Sequence, residues 1–128
     1  MGSGGANDIA SAASEVLVTI RHDKKRLLEK VGYVTSPGHA VRTVVTTRGV
    51  LERRAADEPF RLVSVLGRVG EQLEDAVAAA VDGCGWTLDV DPGVCLELDP
   101  SVEELDRLRM LDPQRVFLRG RAAVAANK

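Results

Sequence analysis

Apolar and polar positions along this 128-residue chain follow two rhythms, one of period near two and one of period near 3.6. Glu15-Val16-Leu17-Val18-Thr19-Ile20 is a nearly continuous apolar run, the pattern of a strand covered on both faces, and predicts a central strand over 15–20. Ahead of it, Asn7 or Asp8 can cap a short helix running through Ala13. Behind it, Leu27, Leu28 and Val31 recur at helical spacing after an Asp23 cap and before Gly32, which predicts a helix over 23–31. A loop follows at Thr35-Ser36-Pro37-Gly38-His39.

From Val41 to Val69 the rhythm is that of strands. Thr43 to Thr47 and Val50 to Arg53 flank Arg48-Gly49, and Phe60 to Val65 follows the polar turn Ala56-Asp57-Glu58-Pro59, so the segment predicts an antiparallel three-stranded meander. Gly70 to Val81 predicts a helix with Leu73, Ala76, Val77, Ala80 and Val81 on one face, stopped by Gly83-Cys84-Gly85. Trp86 to Val90 reads as an edge strand closed by Asp91-Pro92-Gly93. Ser101 and Glu104 have the spacing of a capping box, with Leu105, Leu108 and Leu111 on the apolar side of a helix that Asp112-Pro113 ends. Helices alternating with strands predict an α/β fold. Residues 1–118 are expected to form one domain and 119–128 a flexible tail.

Composition narrows the function classes. Lys plus Arg number 17 against 19 Asp plus Glu, a net charge of −2, and no stretch is basic enough to serve as a footprint for nucleic acid. Four aromatics (Tyr33, Phe60, Trp86, Phe117) supply little base stacking. No apolar run approaches the ~20 residues of a membrane span. Cys84 and Cys95 have no second pair of ligands at zinc spacing and are read as reduced, mostly buried thiols of a cytoplasmic protein. Ala6 stands where a myristoylation pattern wants Ser or Thr.

Few side chains offer chemistry. His22 and His39 have no partner at a triad-like offset and read as structural or surface histidines. Lys24-Lys25-Arg26 is a solvated charge run, and Glu103 and Glu104, adjacent on a helix, point in different directions and make no acid/base pair. The strongest candidate lies at the start. Three glycines among Gly2, Ser3, Gly4 and Gly5 free the backbone for φ > 0 and leave no Cβ between a ligand and the main chain, whose N–H groups can converge on an anion. A flexible leader is the other reading of these four residues, and Ala6-Asn7-Asp8-Ile9-Ala10 behind them weighs against it.

Taken in order, Gly2 to Ser11, Arg21 to Arg26, Val31 to His39, Arg42 to Arg53, Phe60 to Val65, Gly85 to Leu88 and Glu103 to Pro113 resemble the class I CoA-transferases. The likeness is to the second (β) subunit of the glutaconate and 3-oxoacid types, and it runs through nearly the whole chain. It implies a three-layer α/β/α fold with a mixed sheet, and transfer of CoA between carboxylic acids through a glutamyl–CoA thioester. Coenzyme A is then a substrate and no separate cofactor is expected. The family's Gly-x-Gly-Gly turn, whose N–H groups serve the thioester oxygen, falls on Gly2, Ser3, Gly4 and Gly5, with Ala6 and Asn7 completing the acyl-CoA-binding stretch.

The catalytic glutamate of such a β-subunit precedes that turn, and none of Glu15, Glu29 or Glu52 matches its motif, so no catalytic residue is assigned in this chain. The resemblance makes the chain the C-terminal portion of a β-subunit that needs the other half or an α-subunit as partner, within an oligomer, and is inactive alone. Where many relatives carry His-Pro-Gly, this chain has Leu66-Gly67-Arg68, so the family's motif assigns no ligand role there. Two alternatives share these features: a docking module without chemistry, and a component of an acyl-CoA thioester hydrolase on the same fold.

Overall fold

A computed structural model of the chain describes residues 4–115. These fall into two compact units, one ending at Glu97 and the other beginning at Leu98. The first unit holds α1 (Gly4–Ala12), β1 (Val16–Ile20), β2 (Val41–Thr46), β3 (Gly49–Glu52), β4 (Arg61–Val65), α2 (Leu73–Asp82) and β5 (Asp89–Leu96). Its five strands form one mixed sheet in the order β1-β2-β3-β4-β5. β1 lies parallel to β2, β3 runs antiparallel to both of its neighbours, and β4 lies parallel to β5. Every strand except β3 therefore points the same way. The α/β class and the antiparallel meander of β2, β3 and β4 are as the sequence predicts.

The core forms where α2 lies on β4 and β5. Leu51, Leu62 and Val65 of the sheet are fully buried with Ala76 and Ala80 of α2, and Leu27, Cys84 and Leu88 join them. The two alanines let the helix backbone approach the sheet, and the alternation of Val63 with Leu62 and Ser64 puts opposite sides of β4 on opposite faces. Glycine completes the packing. An added Cβ on Gly49 would stand 2.3 Å from the Ser64 carbonyl oxygen, and one on Gly85 would stand 2.2 Å from that of Leu27.

The structure corrects several local expectations. β1 is an edge of this sheet rather than a central strand, and its residues alternate between half-buried and exposed, with Leu17 60% exposed. The predicted helix over 23–31 is a single turn in which the Arg26 and Leu27 amides both donate to the Asp23 carbonyl. The Gly85 N–H donates to the Leu27 carbonyl at 2.8 Å, occupying the acceptor that a continuing helix would offer to Val31. Leu27 is buried while Leu28 and Val31 stay exposed, so there is no apolar stripe to bury.

α1 starts three residues before the expected cap, so Gly4 and Gly5 lie in its first turn. Asp91-Pro92-Gly93 does not close a strand but lies inside β5. There Leu62 pairs with Val90 and Ser64 with Cys95, and Asp91 Oδ1 accepts from the Gly93 N–H at 2.9 Å. The turn chemistry is the one these residues predict, but it bends a strand instead of ending one.

In the second unit α3 (Val102–Leu111) begins with the predicted capping box. Ser101 Oγ accepts from the Glu104 N–H at 3.2 Å, and Glu104 Oε2 accepts from the Ser101 N–H at 2.9 Å. The Ser101 N–H, followed by its hydroxyl, holds the Glu104 carboxyl below the ordinary range. The tail over 119–128 lies outside the described residues.

Candidate functional site

The predicted glycine turn meets the structure at the head of α1. Gly2 and Ser3 lie outside the described residues, while Gly4, Gly5, Ala6 and Asn7 form the first turn of the helix. The amides of such a turn have no intrahelical acceptor, and the helix dipole adds positive potential there. Gly4 has φ +62°, a left-handed conformation that side chains resist, and among the described residues outside the turn itself an ideal Cβ on Gly4 or Gly5 would meet no atom within 4 Å. The Asn7 side chain is otherwise engaged: its Nδ2 donates to the Thr35 carbonyl at 2.7 Å and its Oδ1 accepts from Ser11 Oγ at 3.2 Å. Asn7 thus fastens α1 to the 35–39 loop.

His22 has the structural role read from its isolation. Its Nε2 lies 2.7 Å from the Ala80 carbonyl, which only an N–H can satisfy, and its Nδ1 lies 2.9 Å from Thr46 Oγ1. The ring thereby joins β1, β2 and α2. His39 is exposed, and Lys24-Lys25-Arg26 is solvated, with Lys24 paired to Asp82 and Arg26 to Asp23. Glu103 pairs with Arg107, apart from Glu104 in its cap.

Cys84 is buried, and burial pushes its thiol up. Cys95 is exposed, against the expectation of two buried thiols, because it sits on the edge strand β5 where the register slips. Among the described residues no group of three or more His, Cys, Asp or Glu is placed to hold a metal ion, and no helix is long and apolar enough to cross a membrane.

Folding also assembles groups that no local motif announces. The chain leaves β1 at Arg21-His22, β2 at Thr47-Arg48 and β4 at Leu66-Gly67-Arg68, and these three exits line one cleft of about 420 Å³. Arg48 is locked, with Nη1 at 2.8 and 3.1 Å from the two carboxylate oxygens of Glu71. Glu71 Oε2 also accepts from the Arg68 N–H at 2.6 Å. That amide is the main cause holding the Glu71 carboxyl below the usual range; burial opposes it, and the Arg48 guanidinium adds to it. The three arginines stand 20 or more positions apart in sequence. Their meeting could be foreseen only by fixing which strands run parallel.

No protein-family model matches the sequence. Among characterised proteins, the B subunit of the glutaconate CoA-transferase of Acidaminococcus fermentans is 31% identical over 134 residues, which cover 91% of this chain and 47% of the relative. The B subunit of the 3-oxoadipate CoA-transferase of Pseudomonas knackmussii is 24% identical over 135 residues, 93% of this chain and 49% of the relative. The crystal structure of the Acidaminococcus fermentans glutaconate CoA-transferase superposes with a TM-score of 0.72 and 25% identity, covering 94% of this chain and 50% of that one. The decarboxylase AibA/AibB shares the fold at a TM-score of 0.73 and 18% identity, covering 90% of this chain and 45% of that one. The chain spans about half the length of the relatives it matches. Over that span its homologues are the B subunits of CoA-transferases, and it shares their α/β fold.

Proposed function

We propose that this chain is part of a CoA-transferase that moves CoA between carboxylic acids, and that it supplies the scaffold and the oxyanion-binding turn. One observation carries the reading: the likeness to the B subunit of a glutaconate CoA-transferase runs over nine-tenths of the chain. When a carboxylate attacks a thioester carbonyl, negative charge collects on the carbonyl oxygen. Backbone N–H groups fixed at a helix start stabilise that charge without having to reorganise. Gly2 and Ser3 belong to the same proposed turn.

The nucleophile on this reading is a glutamate that is none of Glu15, Glu29 or Glu52, and the thioester forms between it and CoA. Catalysis then requires the part of the relatives' length that this chain does not span, and a partner of the α-subunit kind, since both relatives bear the name of one component of a larger enzyme. The test is trapping. The complex of this chain with an α-type partner and the complementary half is incubated with acyl-CoA and treated with borohydride, and its peptides are mapped by mass spectrometry. A glutamate reduced to its alcohol, with CoA leaving as the thiol, outside these 128 residues is the expected outcome, and the same reduction at a glutamate of this chain would overturn the assignment.

A further inference from the structure

The clefts at the two ends of the sheet differ in charge. At the end where β4 begins, a cleft of about 450 Å³ sets Arg53, Arg54 and Arg61 among Glu52, Glu58 and Asp91, three cations against three anions. At the opposite end, where β1, β2 and β4 finish, no carboxylate lines the cleft that receives Arg21, Arg48 and Arg68. Glu71 neutralises Arg48 from outside that lining, and its charge also reaches Arg68. No hydrogen bond or ion pair is made by the guanidinium of Arg21 or of Arg68 among the described residues, and both residues are exposed. The carboxyl ends of parallel strands are where open α/β sheets bind ligands.

Hydrogen bonds join the turns that carry these two cations. The Leu66 N–H donates to the Arg48 carbonyl at 2.9 Å, and the His22 N–H donates to Thr47 Oγ1 at 3.1 Å. The Arg48 N–H donates to Thr46 Oγ1 at 3.1 Å, and that hydroxyl also meets the His22 ring. The three strand exits are thus tied to one another, and the Arg68 N–H is tied to Glu71. Two guanidiniums carried on cross-linked turns present planar, charge-assisted donors to one cleft.

We propose that this cleft at the carboxyl edge of the sheet binds an oxyanion through Arg21 and Arg68. The site stands on the cleft itself. The two sources of such a group in a reaction, a phosphate of CoA or the carboxylate of an acid substrate, rest on the CoA-transferase reading above.

The test is calorimetric titration of the full chain with inorganic phosphate, CoA, dephospho-CoA and glutarate. Binding of at least one probe is expected. Arg21→Ala and Arg68→Ala should each weaken it about tenfold, the loss of one charge-assisted contact. Arg61→Ala, at the opposite end of the sheet, should leave it unchanged, and matching melting curves would show that all three variants fold. CoA binding more tightly than dephospho-CoA identifies a phosphate, and glutarate binding without CoA identifies a carboxylate. Phosphate bound without either CoA or glutarate supports the cleft and counts against the CoA-transferase reading. No binding of any probe overturns the proposal, as does an equal loss in Arg61→Ala, which would mark general charge attraction.

Discussion

Two sets of glycines in this molecule do opposite things. Gly49 and Gly85 are surrounded, with backbone carbonyls 2.3 and 2.2 Å from where a Cβ would stand, and they are glycine because the fold presses on them. Gly4 and Gly5 are open by comparison: among the described residues, apart from the chain neighbours and the backbone of α1 itself, no atom lies within 4 Å of an added Cβ on either. Only the φ of +62° at Gly4 is an internal reason for the residue type, and Gly5 has none. Gly32, Gly38 and Gly70 are equally open, so an empty Cβ position leaves room for a group to approach the backbone without requiring one. The contrast separates glycines that serve packing from glycines available to chemistry, although sequence alone writes them identically.

The largest test of this contrast is kinetic. In the assembled enzyme, Gly4→Ala should lower kcat by on the order of 10²-fold or more, since a Cβ enters the open space and disturbs an oxyanion donor. The core lies elsewhere, in Leu51, Leu62, Val65 and α2, so its cooperative melting should fall by no more than the left-handed strain at the helix start, about 1–2 kcal/mol. Steady-state kinetics beside a melting curve reads both effects. Normal turnover in this variant would make the turn a mere leader into α1.

The packed glycines should fail in the opposite way. Gly49→Ala and Gly85→Ala each force a methyl onto a backbone carbonyl that cannot move like a side-chain tip, an overpacking cost of about 1–3 kcal/mol. Denaturant unfolding should show a lower midpoint for each, and the Gly85 variant should also loosen the turn around Leu27, whose carbonyl accepts the Gly85 N–H. An unchanged midpoint would mean the close approach is relieved by backbone shifts, and the contrast with Gly4 would lose one side.

A packed region should also respond to pH where the open turn does not. Glu71 has its carboxyl held below its ordinary value near 4.5, first by the Arg68 N–H, with burial opposing and Arg48 reinforcing. Its contribution to stability is therefore fully present above that ordinary value and is lost as pH falls through the lower folded value. Replacing it by glutamine should flatten the acid limb of a stability-against-pH curve. An acid limb identical to that of the parent chain would place the pH-sensitive contacts elsewhere.

How much of this was legible in the sequence depends on whether its causes are local. The capping box at Ser101 and Glu104, the meander through Arg48-Gly49 and the helix carrying Ala76 and Ala80 were legible, because each is decided within a few residues. The helix expected over 23–31 does not form, because a carbonyl at Leu27 is claimed by Gly85, a residue 58 positions away. β1 reads as a central strand because its run is nearly continuous in apolar residues, whereas its place in this sheet is an edge and its residues alternate between half-buried and exposed. The glycine turn was visible as composition, but which glycines the fold presses on could be known only from the packing. The arginines of the carboxyl edge were invisible because strand direction, not spacing, brings them together.

The smallest expected effect sharpens the comparison most. Gly5 lies in the first turn of α1, its φ is not in the left-handed region, and its Cβ position is empty, so alanine fits there without strain. Alanine also loses less backbone entropy on entering a helix. Gly5→Ala should therefore raise the stability of α1 by up to about 1 kcal/mol, less near a frayed helix end, and hydrogen exchange of the amides following it should slow rather than quicken. The packed glycines predict the reverse sign. If the same variant loses turnover in the assembled enzyme while its helix is firmer, then glycine is kept at position 5 against the interest of the fold, which only an approaching ligand explains. If exchange slows and turnover holds, Gly5 is incidental and the oxyanion turn contracts to Gly4 and the residues before it. If exchange quickens, the space around Gly5 is not free, and the division between packed and open glycines fails at its simplest position.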